Sequence, residues 1–260
     1  MSVPVGALRI AAIRLLCPDP AATAAFYAAA FGGCVAHEGP GIAVSLGAQV
    51  VQLVPTPRTP GPPAPSNGTD FQHCAIVVSD MQAAYAHLRA VPGWTPISQA
   101  GPERLPAASG GVAAFKFRDP DGHPLELLAF PEPAPSPWRD RPGLFLGIDH
   151  TAITVSDTAS SVAFYEALGF TVVSRGLNRG AEQARMDAVA DPVVEVTGLT
   201  PPGGATPHLE LLCYRTPGPL LHPLAEDAVL ASRIVLRLSR WSAVAERCAE
   251  DPDGHRLVFS

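Results

Sequence analysis

The hydrophobic pattern of this chain repeats four times. Each copy opens on a run of alternating, often β-branched residues that mostly closes on a Ser-Asp or Pro-Asp pair. A stretch with helical apolar spacing follows, and then several short alternating runs. "HCAIVVSD" (73–80) and "HTAITVSD" (150–157) are two such openings, and their period of two predicts strands. In the third copy Ala163, Phe164, Ala167 and Leu168 give the i, i+1, i+4, i+5 stripe of a helix with one apolar face. Asp157 stands just before that helix as an N-cap, where its carboxylate accepts from first-turn N–H groups. "TVVSRG", "DPVVEVTGL" and "HLELLCY" then predict strands, so the unit is β-α-β-β-β. The fourth unit is truncated: a helix predicted around 241–249 leads almost directly into a turn and a last strand, without middle strands.

The units are copies of one another. "CPDPAATAAFYAAAFGG" in the first answers "VSDTASSVAFYEALGF" in the third, with Asp19 aligned on Asp157 and Phe26-Tyr27 on Phe164-Tyr165 at one constant offset. "FRDPDGHPLELLAF" (117–130) returns as "EDPDGHRLVFS" (250–260). Repetition on this scale fixes an architecture. The 29 prolines concentrate at 55–68, 131–143, 200–207 and 216–223. Such segments continue neither a helix nor a central strand, so they read as linkers and surface loops. The resulting modules are 8–54, 70–130, 146–214 and 230–260. They group into an N-terminal domain (8–130), a proline-rich linker (131–145) and a C-terminal domain (146–260).

Composition narrows the class. Apolar residues make up 47% and charged residues 16% of 260, which excludes a disordered chain. A formal charge of −6 argues against a nucleic-acid-binding surface. No apolar run approaches the roughly 18 residues of a membrane span, and Arg9 and Arg14 interrupt the N-terminal apolar stretch as they would not in a signal peptide. Five cysteines with no CxxC pair suit reduced thiols in a cytoplasmic protein.

Repeated β-α-β-β-β units with a first-strand His, a DPDG turn and a last-strand "LEL" resemble the vicinal oxygen chelate superfamily, which includes glyoxalase I, epimerases, extradiol dioxygenases and bleomycin-resistance proteins. The resemblance implies an α+β fold in which two units pair into a cup of curved mixed sheet. It also implies ligand slots on the first and last strand of each unit. Here the first-strand slots hold Ala12, His73, His150 and Arg233, and the last-strand slots hold Gln52, Glu126, Glu210 and Val258. If units two and three pair, one cup holds His73, Glu126, His150 and Glu210, and the other holds no metal ligand set. If one pairs with two and three with four, each cup keeps one His and one Glu. The all-or-none division of the slots favours the first arrangement.

Two imidazoles and two carboxylates suit a divalent first-row metal: Zn, Ni, Co, Mn or Fe. With such an ion polarising a carbonyl, Glu126 or Glu210 would serve as base toward a neighbouring C–H. The implied activity is a metal-dependent lyase, isomerase or epimerase acting on a small oxygenated molecule. An iron-dependent extradiol dioxygenase and a metal-free binding protein for a small molecule such as an antibiotic stay open as alternatives. The expected partner is a small-molecule substrate, with no nucleic acid or membrane, and the chain acts as a monomer or homodimer. His208 shares the strand face of Glu210 and suits an acid–base role or a strand end. His123 and His255 read as turn residues, and Cys74 and Cys213 as packing. The segment 174–186 reads as a loop whose Arg175, Asn178 and Arg185 wall the cup as substrate-binding residues.

Overall fold

Among the described residues, every helix that follows an opening strand is capped where the sequence places an aspartate. In this computed structural model, which describes residues 8–39, 41–204, 206–223, 225–238 and 246–260, unit one runs β1 (Leu8–Cys17), α1 (Pro20–Phe31), β2 (Cys34–Glu38), β3 (Gly41–Leu46) and β4 (Gln49–Pro55). Unit two runs β5 (Gln72–Val78), α2 (Met81–Arg89), the two-residue β6 (Thr95–Pro96) and β7 (Glu103–Arg104), β8 (Ala113–Arg118) and β9 (Pro124–Ala129). Unit three runs β10 (Phe145–Thr154), α3 (Thr158–Ala167), β11 (Thr171–Arg179), α4 (Ala181–Asp187), β12 (Val193–Thr200) and β13 (His208–Thr216). Unit four retains β14 (Arg233–Leu238), β15 (Arg247–Glu250) and β16 (Arg256–Phe259). Asp19 accepts from the backbone of Ala21 and Ala22, Asp80 from Ala83 and Asp157 from Ser160. Each thereby satisfies N–H groups that a helix start leaves free.

Two open mixed sheets result. One has the order β15-β16-β14-β1-β4-β3-β2, and the other β11-β12-β13-β10-β5-β9-β8-β6, with β7 also on β8. Unit two thus pairs with unit three through antiparallel β5 and β10, and unit one with unit four through antiparallel β1 and β14. Each sheet draws one unit from each half of the chain. A single apolar cluster, with Tyr27, Phe31, Phe117, Ile148 and Tyr165 among its members, runs between both sheets and their helices.

The DPDGH turns knit the two sheets together. His123, on the unit-two turn, places Nε2 at 3.1 Å from the carbonyls of Leu16 and Val229, while its Nδ1 is 2.9 Å from Asp119. The unit-four turn reaches the other way: His255 Nε2 is 2.8 Å from the Thr154 carbonyl. The tyrosine of each repeated Phe-Tyr pair donates to the first aspartate of a turn, Tyr27 to Asp119 and Tyr165 to Asp251. Gly147 supplies a further close approach. At its φ of +134 a side chain would be strained, and a Cβ there would strike Gln49, whose Oε1 accepts from Ile148 N.

Two expectations change. Residues 174–186 form no loop: β11 pairs with β12 along its whole length to Arg179, and α4 follows, burying Gln183, Met186 and Asp187. In unit four, Arg247–Glu250 is a strand paired with β16 and not the end of a helix, so one middle strand is present. Residues 241–245 of that expected helix lie outside the described residues.

Candidate metal centre

Strand register decides what the cup displays. His73 lies opposite Ala152 and His150 opposite Ala75, while Glu126 is the neighbour of Ala75 and Glu210 the neighbour of Ala152. The two His and two Glu are therefore related by the same two-fold that relates the units, and the alanines between them leave the space into which they project. His73 Nε2 is 3.0 Å from Glu126 Oε2, and His150 Nε2 is 3.6 Å from Glu210 Oε2. The His73 and His150 rings lie edge to face at 5.6 Å. His73, Glu126 and His150 offer ligand atoms all within 4.8 Å of one another; Glu210 stands against His150 at the rim of this trio. All four line a cleft of about 320 Å³.

The equivalent positions of the other sheet hold a different surface. Ala12 faces Val235, which neighbours Val258, and the three form an apolar cluster. Arg14 faces Arg233, which neighbours Arg256, and Gln52 neighbours Arg14. Arg14 Nε donates to Gln52, its two Nη groups grip Glu246, and Arg233 donates to the carbonyls of Ala231 and Glu226. No metal-ligand cluster falls on this face among the described residues.

Several groups around the centre escaped the sequence reading. Asp149 accepts from Trp138 Nε1 at 3.0 Å and from His150 Nδ1 at 3.1 Å. Lys116, 3% exposed, pairs with Asp187 at 2.7 Å, and Tyr214 and Gln183 hold the same carboxylate. Asp149 borders His150 and Lys116 sits directly opposite Glu126, but neither occupies one of the repeated ligand positions. Of the residues expected at the wall, Arg175 and Asn178 line the cleft. Arg185 does not; its guanidinium is ion-paired with Glu103 through Nε at 2.6 Å, tying α4 to β7. His208 lies beside His150, 3.5 Å from Glu210 and 3.7 Å from Asp149. Cys74 and Cys213 are buried in the core on the opposite face, and all five cysteines are free.

The family model of the Glyoxalase/Bleomycin resistance protein/Dioxygenase superfamily matches residues 9–127 and 147–229, and a second model from that superfamily matches residues 72–187. The chain belongs to this superfamily. No curated protein matches it. Glyoxalase I from Zea mays is similar in structure, at 18% identity and a TM-score of 0.62, over 97% of this chain and 92% of that one. A mutant of that glyoxalase gives 17% and 0.64, over 97% and 93%. A candidate dioxygenase from Bacillus subtilis gives 12% and 0.56, over 98% and 85%. At these identities the likeness is one of fold.

Proteins of this superfamily typically use a divalent metal, and the residues of this cleft fit one. Both ring nitrogens of His73 are buried without a satisfied hydrogen bond, and the nearest carboxylate oxygen, Glu126 Oε2, is 3.0 Å from Nε2. The donors of His73, Glu126 and His150, all within 4.8 Å of one another, are close enough to share one ion at about 2.0–2.2 Å each, with Glu210 3.6 Å from His150 as the adjoining carboxylate. Burial lowers the pKa of His73, aided by Lys116, and so favours the neutral ring that binds metal. Burial opposes charge at Glu126 and Glu210 also, but their basic neighbours prevail. His73 and Lys116 hold Glu126 below the usual range, and His150 and His208 hold Glu210 at about 2. Among protein groups alone, His150 rises to about 9 against burial, through Glu210 and Asp149. This is an anionic cup that a dication would neutralise. No helix among the described residues is long and apolar enough to cross a membrane.

Proposed function

We propose that this chain is a metal-dependent lyase, isomerase or epimerase that moves a proton next to a carbonyl of a small oxygenated substrate. The observation that carries the reading is the convergence of His73, Glu126, His150 and Glu210, two from each of two unit copies, on the wall of one cleft. His73, His150 and the two glutamates would hold Zn, Ni, Co, Mn or Fe. When bound, such an ion polarises a carbonyl oxygen and makes the neighbouring C–H acidic.

The remaining work falls to side chains of the chain. Glu126 takes the carbon-bound proton and returns it to the neighbouring position, or, for inversion, a second group such as Glu210 supplies a proton to the opposite face of the same carbon. Glu210 is the second candidate, with His208 3.5 Å away to pass a proton outward. Arg175 and Asn178 on the wall orient the substrate's oxygens, and apolar Leu105, Val112, Met186 and Val196 exclude water. The size of the cleft suits a small substrate, and a cytoplasmic setting suits free thiols.

A second reading draws on one observation: the tightest trio, His73, Glu126 and His150, is two His and one carboxylate, a set that non-haem iron oxygenases also use. Purified protein loaded with each metal in turn separates the two. Exchange of a carbon-bound proton with deuterated solvent, across a panel of 2-oxoaldehydes, 2-hydroxyketones and acyl thioesters without oxygen, supports proton transfer. Oxygen uptake with Fe(II) and a catechol, and no exchange, would replace that reading with the dioxygenase.

A further inference from the structure

Lys116 is an uncommon neighbour for a metal ligand. It faces Glu126 directly across the β8–β9 ladder, and its side chain is 3% exposed. Nζ is fixed at 2.7 Å from Asp187 Oδ1, and Asp187 Oδ2 in turn accepts from Tyr214 and Gln183, each at 2.7 Å. Held this way, the ammonium is almost wholly buried at the wall of the cleft and stands 4.0 Å from Glu126 Oε2. A buried ammonium retains its charge only against carboxylates, and Glu126 is one of the two it touches. The two carboxylates of the cup are therefore unlike. Glu210 faces the imidazoles of His150 and His208, whereas Glu126 is shared between the imidazole of His73 and a permanent cation.

We propose that Lys116 is a positioning residue that acts through Glu126: it holds this carboxylate in the cup and weakens its hold on the metal. The inference rests on the metal reading of the site. At about 4 Å in a medium of intermediate dielectric, a cation competes strongly for the carboxylate's charge. Glu126 becomes the looser carboxylate, free to leave the ion and take a proton, and Glu210 becomes the firm ligand. The same contact balances the charge of Glu126 when the cup holds no ion.

The test is a Co²⁺ titration of the metal-stripped full chain, followed by visible absorption and by calorimetry. Lys116→Met should bind Co²⁺ about ten- to hundredfold more tightly than the unaltered chain. Lys116→Arg, which keeps the charge, should stay near the original affinity. In a Glu126→Gln background the gain from Lys116→Met should shrink to about threefold or less, because the carboxylate through which Lys116 acts is gone. If Lys116→Met does not fold, Lys116→Met/Asp187→Asn removes both members of the buried pair and carries the same expectation. An unchanged or lower affinity in a folded Lys116→Met chain, or an equal gain in both backgrounds, overturns the proposal and leaves the metal reading standing. No saturable Co²⁺ binding by the unaltered chain overturns the metal reading itself, and this inference with it.

Discussion

Asp149 Oδ2 accepts from His150 Nδ1 at 3.1 Å, and this contact decides that Nε2 of His150 is the nitrogen turned toward Glu210 and the cleft. A carboxylate behind a ligand imidazole fixes its tautomer and raises its basicity. Asp149 is itself fixed, since Trp138 from the proline-rich linker donates to its other oxygen. Asp149→Ala is expected to lower metal affinity about 10- to 100-fold, with Trp138→Phe giving a smaller loss in the same direction. Metal titration beside circular dichroism checks this; full affinity in Asp149→Ala would mean that His150 is oriented by packing alone.

The ligand set predicts a split between metal content and turnover. His73→Ala should lose most of its metal, because imidazole supplies much of the affinity for such ions. The glutamate that takes the proton should, as its Gln variant, keep metal and lose about 10²- to 10⁴-fold in rate. Metal analysis and rate measured together on Glu126→Gln and Glu210→Gln identify the base. Near-normal rates with full metal in both would exclude proton transfer by a cup glutamate.

His123 makes the tie between the sheets pH-dependent. Its Nε2 meets two carbonyl oxygens and its Nδ1 a carboxylate, so both nitrogens must donate and the ring is best satisfied as imidazolium. Burial opposes that charge, but Asp119 and then Asp121 raise the pKa above its usual value. Tyr27 and Cys17, which border the same pocket, are pushed up and stay neutral at ordinary pH. A raised folded pKa means that the stabilisation is complete below the unfolded value of about 6.5 and is lost as pH rises through the folded value. The melting-temperature difference between the unaltered chain and His123→Gln should therefore be largest at acid pH and shrink toward alkaline pH. A gap that widens with pH would show that His123 is held neutral.

The outer sheet should hold no metal of this kind, since Ala12, Gln52, Arg233 and Val258 occupy its ligand positions and Ala12 and Val258 pack with Val235 as a small apolar core. Saturation is expected at one ion per chain. Arg233, which donates to the carbonyls of Ala231 and Glu226, ties β14 to the segment before it. Arg233→Ala should lower stability by about 1–3 kcal/mol through buried carbonyls left without donors, and change turnover less than about twofold. Lost turnover with an unchanged melting curve would give Arg233 a part in the chemistry.

The sequence by itself determined the repeat, the helix caps and the positions where ligands stand, because these follow from local periodicity and from copies that share one register. Asp19, Asp80 and Asp157 cap as their spacing requires, and His73, Glu126, His150 and Glu210 share one cleft because equivalent positions on paired units must face one another. Only the tertiary structure decided what surrounds them. Which unit pairs with which is a choice between edges of similar strands, and it is made by long-range contacts such as β5 on β10. Lys116 sits in an alternating strand like any other, and Asp187 ends what reads as a polar loop; their ion pair joins segments 71 residues apart. Arg185 sits in the same stretch as Arg175 and Asn178, yet it turns to Glu103 because it lies on α4 while they lie on β11, and a helix directs its side chains differently from an extended strand. Charges buried by packing are invisible to periodicity, which records where a side chain points and not what meets it there.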